Sequence, residues 1–192
     1  MDPKVSDYVS RNRMALGASL ALSLMLLQFG VISASPGGLA VRIVLPATIA
    51  LAPLALWPLR QHLGVWVVFV GLTANFATIL ANGGLMPIER STVVEAVGAE
   101  RAATHASGQW IAGSKDVLVA DAEGQLTALG DSIIVRVGGS GFAASPGDIV
   151  VWCGLVLLAG EASWRWQRGL RGTREGAPSR VQRAEGSAPT PQ

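Results

Sequence analysis

The chain has 192 residues, of which half are hydrophobic and only 15% are charged, and its formal net charge is +2. An average soluble domain carries about 25% charged residues, so this composition excludes a water-soluble globule; it also excludes a disordered chain and a coiled coil. We therefore predict a small integral membrane protein.

The first predicted element is an uncharged run from Met14 to Ala34, which follows a polar start at residues 1–13. Such a run is long enough to cross a hydrocarbon core about 30 Å thick. A signal peptide is the alternative, because a basic start and the small residues Ser33-Ala34-Ser35 are also present. Since the apolar part of a signal peptide has only about 7–15 residues, we predict a retained transmembrane helix.

Two further spans are predicted from Leu39 to Leu59 and from Leu63 to Ala81, joined by the polar residues Arg60-Gln61-His62. Together with the first run they form a block of three transmembrane helices at residues 14–81. Arg42 lies about one turn inside the second span, and we expect its long side chain to extend back to the membrane interface.

Residues 82–147 form a connection that is too long to be a bare link, so we expect it to carry structure. The pattern Thr92-x-x-Glu95 resembles a capping box and predicts a short helix to about Ala103. Runs rich in β-branched and apolar residues, separated by turn residues, predict strands at 117–120, 125–129 and 133–137.

The fourth predicted span runs from Asp148 to Trp166 and has tryptophans near both ends, where interfacial aromatic residues are typical. Residues 167–192 are rich in Arg, Gly, Pro and Ser, so we predict a disordered basic tail. The predicted fold class is therefore an all-α integral membrane protein with four transmembrane helices and a structured extracytoplasmic α/β loop between the third and fourth helices.

Basic residues are concentrated on one side of this topology. Four spans place both termini on the same side, and that side carries Lys4, Arg11, Arg13, Arg60, Arg165, Arg168, Arg171 and Arg174. The other side has only Arg42 and Arg90 close to helix ends. By the positive-inside rule, we expect both termini in the cytoplasm of a bacterial cell, the loop outside, and the lipid bilayer as partner.

Three short motifs mark the loop: Asn82-Gly83-Gly84-x-Met86-Pro87, then Leu129-Gly130-Asp131, then Ser145-x-Gly147-Asp148. Each has a simple local interpretation. The glycines of the first motif end a helix and Asn82 can bond its last carbonyls, while Ser145 or Asp148 can cap the following helix.

These three motifs follow the pattern Gly71-Leu72-x-x-Asn75 in this order. With this order of motifs, residues 71–154 resemble a family of uncharacterised bacterial membrane proteins known only as a domain of unknown function. Two positions depart from the family pattern: Pro146 replaces Ile or Val, and Ala128 replaces a residue that is often bulky. The resemblance implies a bacterial inner-membrane protein and carries no established activity.

The candidate functional residues come from these motifs and from one polar residue inside a span. A side-chain amide such as that of Asn75 usually bonds a neighbouring helix, with ligand contact as the alternative. We expect Asp131 to accept hydrogen bonds from backbone N–H groups of residues 82–87. Around it, either Ile133 and Val135 or Ile134 and Val137 should be buried. The full set is Asn75, Asn82, Gly83, Gly84, Met86, Pro87, Asp131, Ser145, Gly147 and Asp148.

No recognised catalytic or metal-binding motif is present in the sequence, and the single cysteine, Cys153, cannot form an intrachain disulfide. We expect a non-catalytic accessory or binding protein without a cofactor or metal, with other membrane proteins as further partners and no nucleic acid. A small transporter or a lipid- or quinone-binding subunit, with a cavity near Asn75, Asn82 and Asp131, is one alternative. An outer-face hydrolase that uses Asp131, Asp148 and His105 is the other.

Overall fold

The computed structural model describes residues 3–35, 38–121, 124–137 and 140–175, and it is mostly helical. The helices are α1 (Pro3–Ala34), α2 (Leu39–Leu56), α3 (Leu63–Ala81), α4 (Arg90–Val97), α5 (Ala99–Ala103) and α6 (Pro146–Glu175). The strands are β1 (Met86–Glu89), β2 (Asp116–Val119), β3 (Ile133–Val137) and β4 (Ser140–Ala144), and short 3-10 helices lie at Trp57–Leu59 and Thr127–Leu129. The described residues divide into two compact units between Leu158 and Ala159, and the packing described below lies within the first.

Four helices are long and apolar enough to cross a membrane, at Ala15–Ala34, Leu39–Leu59, Leu63–Ala81 and Pro146–Arg165. The four predicted apolar helices are thus confirmed as helices. The last one continues to Glu175, so it includes residues 167–175, which were predicted as the start of the tail. Its Gln, Arg, Leu and Glu residues are good helix formers, and extending an existing helix requires no new nucleus. Residues 176–192 lie outside the described ranges.

Helices α2 and α3 form the centre of the packing. One core cluster joins Val41 and Leu45 of α2 with Ile79 of α3 and extends into the loop through Leu85, Met86 and Val117. By contrast, only 6% of the residues in the apolar stretch of α1 are buried, against 33% and 39% of the residues in those of α2 and α3. The loop therefore shares its core with the central helices, whereas α1 leaves most of its apolar surface open.

Glycines bring α3 and α6 into direct backbone contact. A Cβ atom built on Gly71 would lie 2.6 Å from the Gly147 carbonyl oxygen, and one on Gly64 would lie 2.6 Å from that of Gly154. Small residues at such crossings are typical of transmembrane helix pairs, because they let the two backbones approach. The pairing is antiparallel, and it sets the start of α6 beside Gly71 and Asn75 rather than beside the end of α3 at Ala81.

The loop contains a parallel pair, β1 and β2, in which Met86 pairs with Asp116 and Glu89 with Val119. Parallel strands need a crossover connection, and α4 and α5 lie in that connection. Strand β2 agrees with the prediction for 117–120, whereas β1 was not predicted. The helix predicted to about Ala103 is present as α4 and α5, but the predicted capping box is wrong, because α4 begins at Arg90 and Thr92 lies inside it. The helix begins where the paired strand ends, and Asp121 Oδ1 accepts a hydrogen bond from the Ser91 N–H in the first turn at 3.2 Å.

The predicted strand at 125–129 is also wrong, because this segment contains a 3-10 helix at Thr127–Leu129. Asn82 bonds both backbone groups of Gln125: its Nδ2 donates to the Gln125 carbonyl at 2.7 Å, and its Oδ1 accepts from the Gln125 N–H at 3.2 Å. These groups are therefore not available for a strand ladder.

The β3 strand predicted at 133–137 is confirmed, and it pairs antiparallel with β4 so that Ile133 faces Ala144 and Val135 faces Phe142. Strand β4 was not predicted. The prediction that Ile133 is buried is wrong, because 39% of this residue is exposed. Ile134 and Val135 are both half-buried, and the side chain of Val137 lies outside the described part of the chain.

Candidate functional site

Ser145 and Asp148 together cap the start of α6. The Ser145 hydroxyl oxygen accepts a hydrogen bond from the Asp148 N–H at 2.9 Å, and the Ser145 N–H donates to Asp148 Oδ2 at 3.2 Å. This reciprocal pair is a capping box, and Pro146 occupies the first helical position, where its missing N–H has no cost. Both residues predicted as alternative caps are used, so α6 begins at Pro146 rather than at the predicted Asp148.

Asn75 of α3 connects to this cap through both ends of its amide. Its Nδ2 donates to Asp148 Oδ1 at 2.7 Å, and its Oδ1 accepts from the Ser145 hydroxyl at 2.8 Å. Gly147 leaves the space for this contact, because a Cβ at that position would overlap Asn75 Oδ1. The geometry matches the interhelical hydrogen bond, which was the simpler of the two interpretations of Asn75.

Lys115, which was not singled out from the sequence, links the cap to the loop. Its Nζ lies 2.8 Å from Asp148 Oδ2 and 3.1 Å from Asp131 Oδ1. The pairing of β1 with β2 positions it, since the Met86 N–H donates to the Lys115 carbonyl at 2.9 Å. A signal was present in the sequence: Lys115 is one of only two lysines in the chain, and it directly precedes an apolar strand.

Asp131 is 1% exposed. It bonds residues 82–87 as a donor, whereas the prediction made it an acceptor. Its backbone N–H donates to the Pro87 carbonyl at 3.0 Å, while its carboxylate bonds Lys115. The prediction that Asp131 accepts from N–H groups of 82–87 is therefore wrong. Pro87 has no N–H and the Met86 N–H is already bonded within the strand pair, so this segment offers a carbonyl rather than donors.

A second buried carboxyl group, that of Asp116, lies against Asp131. Asp116 Oδ1 and Asp131 Oδ2 are, among the described residues, the buried side-chain oxygens to which no other group donates. Burial raises the pKa of Asp116, against the charge of Lys115 and a hydrogen bond with Asp131. An ionised carboxylate only accepts hydrogen bonds, so one proton held between the two carboxyl groups satisfies both.

Burial also raises the pKa of Asp131, from 3.8 to about 8, because the opposing charge of Lys115 is offset by the charges of Asp116 and Asp148. For Lys115 burial acts to lower the pKa, but Asp131, Asp148 and Asp116 outweigh it and raise the pKa above its usual value. The lysine therefore stays charged while Asp131 retains a proton near neutral pH. We call Asn75, Lys115, Asp116, Asp131, Ser145 and Asp148 the Lys115 cluster.

Stability should depend on pH through Asp131. Between about pH 4 and pH 8 the folded chain holds a proton on Asp131 that the unfolded chain releases, so stability should fall as the pH rises through this range, by up to about 1.4 kcal/mol per pH unit. The check is the thermal unfolding midpoint in detergent from pH 5 to pH 8, compared between the wild type and Asp131→Asn. The variant, which cannot titrate, should show a flatter profile, and identical profiles would contradict the assignment.

The first motif forms a separate contact at the end of α3. Asn82 Nδ2 donates to the Thr78 carbonyl at 2.8 Å, as expected for a residue that bonds the last carbonyls of the helix. Arg42, whose side chain was expected to extend to the interface, donates to the Gly83 carbonyl at 2.9 Å. Gly84 has φ +89 and lies directly on the Arg42 backbone, where a Cβ would overlap the carbonyl. This motif therefore fastens α3 to α2.

The structure thus divides the predicted site residues into two groups. The first group meets at the Lys115 cluster and consists of Asn75, Asp131, Ser145, Gly147 and Asp148. The second group, Asn82, Gly83 and Gly84, contacts α2 and the segment that leads into the 3-10 helix. Met86 and Pro87 lie in β1, which connects the two groups. His105 follows α5, where Arg90 donates to its carbonyl at 2.9 Å. Within the described ranges, no three Asp, Glu, His or Cys side chains are placed to share a metal ion.

A family model, described as a family of unknown function (DUF5317), matches residues 14–159. The match includes α1 and α2, so it begins earlier than the residues 71–154 on which the resemblance was based. No curated protein and no solved structure matches the chain.

Proposed function

We propose that this chain, which belongs to DUF5317, a family of unknown function, is a small multi-pass protein of the bacterial inner membrane that acts without catalysis, as an accessory or binding protein. The observation that carries the proposal is the contact of Lys115 with both Asp131 in the loop and Asp148 in α6. The polar groups of the cluster bond one another, and in doing so they fasten the loop to the helices. Such a loop is a fixed surface on which a partner can bind.

The proposed orientation places both termini in the cytoplasm and the loop outside. Support comes from the basic residues close to the helix ends, eight of which lie on the side of the termini and two on the other. Large apolar side chains on α1, such as Leu22, Met25 and Phe29, are open to the surroundings. In a bilayer these side chains contact lipid or the helices of other membrane proteins, which are the partners that we propose.

Labelling with a membrane-impermeant thiol reagent tests this placement. In a Cys153→Ser background, Ser107→Cys places a thiol in the loop and Ser187→Cys places one near the C-terminus. We expect intact cells to show labelling at position 107 alone and lysed cells to show both. Labelling at position 187 in intact cells would contradict the orientation, and recovery of the protein in the soluble fraction would contradict membrane insertion.

A further inference from the structure

The β3–β4 hairpin has two different faces. Paired residues point to the same side of a hairpin, so Ala143 and Arg136 share one face, and Ile133, Val135 and Phe142 share the other. The first face packs onto the rest of the loop: Ala143 contacts the core cluster of Ile88 and Leu118, and Arg136 pairs with Glu95 of α4 at 3.4 Å. The hairpin is therefore already attached to the loop by one face.

The second face is apolar, and it is open except at Ala144, which pairs with Ile133 and is buried. Phe142 is 46% exposed and Ile133 is 39% exposed, and Val135 between them is half-buried. Phe142 also meets Trp152 of α6 edge to face, with ring centroids 6.3 Å apart, and Trp152 is itself 42% exposed. An open face of a two-stranded hairpin in water is ordinarily polar. We call Ile133, Val135, Phe142 and Trp152 the hairpin outer face.

The contact with Trp152 places Phe142 of the hairpin beside α6. Trp152 lies six positions after Pro146, which is about 9 Å along a helix axis, whereas Phe142 precedes the helix start. The strand that leads into α6 therefore returns beside the helix that it precedes. The hairpin outer face is thus continuous with the apolar side of a helix able to span a membrane.

The register of α6 against α3 gives the depth of this face. A Cβ on Gly71 would lie 2.8 Å from the backbone nitrogen of Val151, so the neighbouring Trp152 lies level with Gly71. Gly71 stands ten positions before Ala81, or about 15 Å below the end of the apolar stretch of α3. The Trp152 end of the hairpin outer face therefore lies below the level at which α3 leaves its apolar span.

We propose that the hairpin outer face is a lipid-contact surface, seated in the outer leaflet beside α6. Its apolar composition and its continuity with α6 favour acyl chains as the occupant. Since the other face of the hairpin is held by α4 and the loop core, the hairpin anchors the loop at the membrane surface. The inference deepens the proposed function and rests on its membrane placement.

Fluorescence quenching tests the occupant directly. In the Cys153→Ser background, Ile133→Cys and Phe142→Cys are each labelled with bimane in vesicles of phosphatidylcholine, with or without bromine on the acyl chains, and in the presence of aqueous iodide. Leu22→Cys on α1 is the control for the bilayer, and Ser107→Cys is the control for the aqueous side. Ile133→Cys keeps the Phe142–Trp152 contact intact, so a folding defect of one variant does not decide the result.

We expect brominated lipid to quench positions 133 and 142 at least half as strongly as position 22, with iodide acting mainly on position 107. Quenching of positions 133 and 142 by iodide instead, while position 22 responds to brominated lipid, would overturn the lipid surface but leave the membrane placement standing. Protection of both positions from both quenchers would also overturn it and would indicate a second copy or a protein partner. Loss of the response at position 22 would overturn the placement itself.

Discussion

Replacing Lys115 with Met should release the loop from the helices and raise amide hydrogen exchange over residues 129–137 about a hundredfold. The substitution leaves the partly buried Asp148 carboxylate without its ammonium partner, and it removes the side chain that bonds both Asp131 and Asp148. Removing one partner of a buried ion pair costs about 3–5 kcal/mol. Lys115 and Asp148 remain about a quarter exposed, so we expect a value near the lower limit, about 3 kcal/mol, which corresponds to the hundredfold change.

The matched control is Arg136→Met, which breaks the solvent-exposed pair with Glu95 in the same loop. Exposed ion pairs contribute at most about 1 kcal/mol, so exchange over residues 129–137 should change less than tenfold. The double substitution Lys115→Met with Asp148→Asn should recover part of the protection, because the carboxylate that loses its ammonium partner is gone. Equal protection in wild type and Lys115→Met would contradict the role assigned to the lysine.

Replacing Asn75 with Asp should lower stability by about 2 kcal/mol without creating or abolishing a proton flux. The new carboxylate would stand 2.7 Å from Asp148 Oδ1, where Asn75 now donates a hydrogen bond, so attraction becomes repulsion between like charges. Thr73→Ala is the control, since Thr73 is exposed and bonds only a carbonyl of its own helix, that of Phe69. The measurement is the unfolding midpoint in detergent, which should fall for Asn75→Asp alone.

The same variants, reconstituted in vesicles with an enclosed pH-sensitive dye, separate the structural role from transport. Under a potassium diffusion potential, wild type and Asn75→Asp should both acidify no faster than empty vesicles. A wild-type flux that is lost in Asn75→Asp while the unfolding midpoint is unchanged would favour the transporter hypothesis over the accessory role.

The apolar helices could be predicted from the sequence, because a run of uncharged residues long enough to cross a bilayer can be recognised without knowing any contact between distant residues. Both candidate caps of α6 were also readable, since Ser145 and Asp148 have the spacing of a capping box. Asn75 was recognisable as polar within an apolar span, although its partners lie 70 and 73 residues away along the chain. Local patterns identify such residues without identifying what they contact.

Lys115 and β1 could not be predicted in this way. The position of Lys115 depends on β1 pairing with β2, and that pairing joins residues on either side of two helices. Strand β1 contains Pro87 and follows a helix stop, which are signals against a strand. The direction of the Asp131 contact was missed for the same reason, because the Met86 N–H is bonded within a pairing that the sequence does not reveal.

The glycine contact between α3 and α6 bears on how the chain is made. Helix α6 includes Asp148, Glu161 and Arg165 within its apolar stretch and is the least hydrophobic of the four candidate spans. Its partner α3 is synthesised one loop earlier in the chain. In the proposed membrane topology, we therefore expect the stable insertion of α6 to depend on its contact with Gly64 and Gly71 of α3.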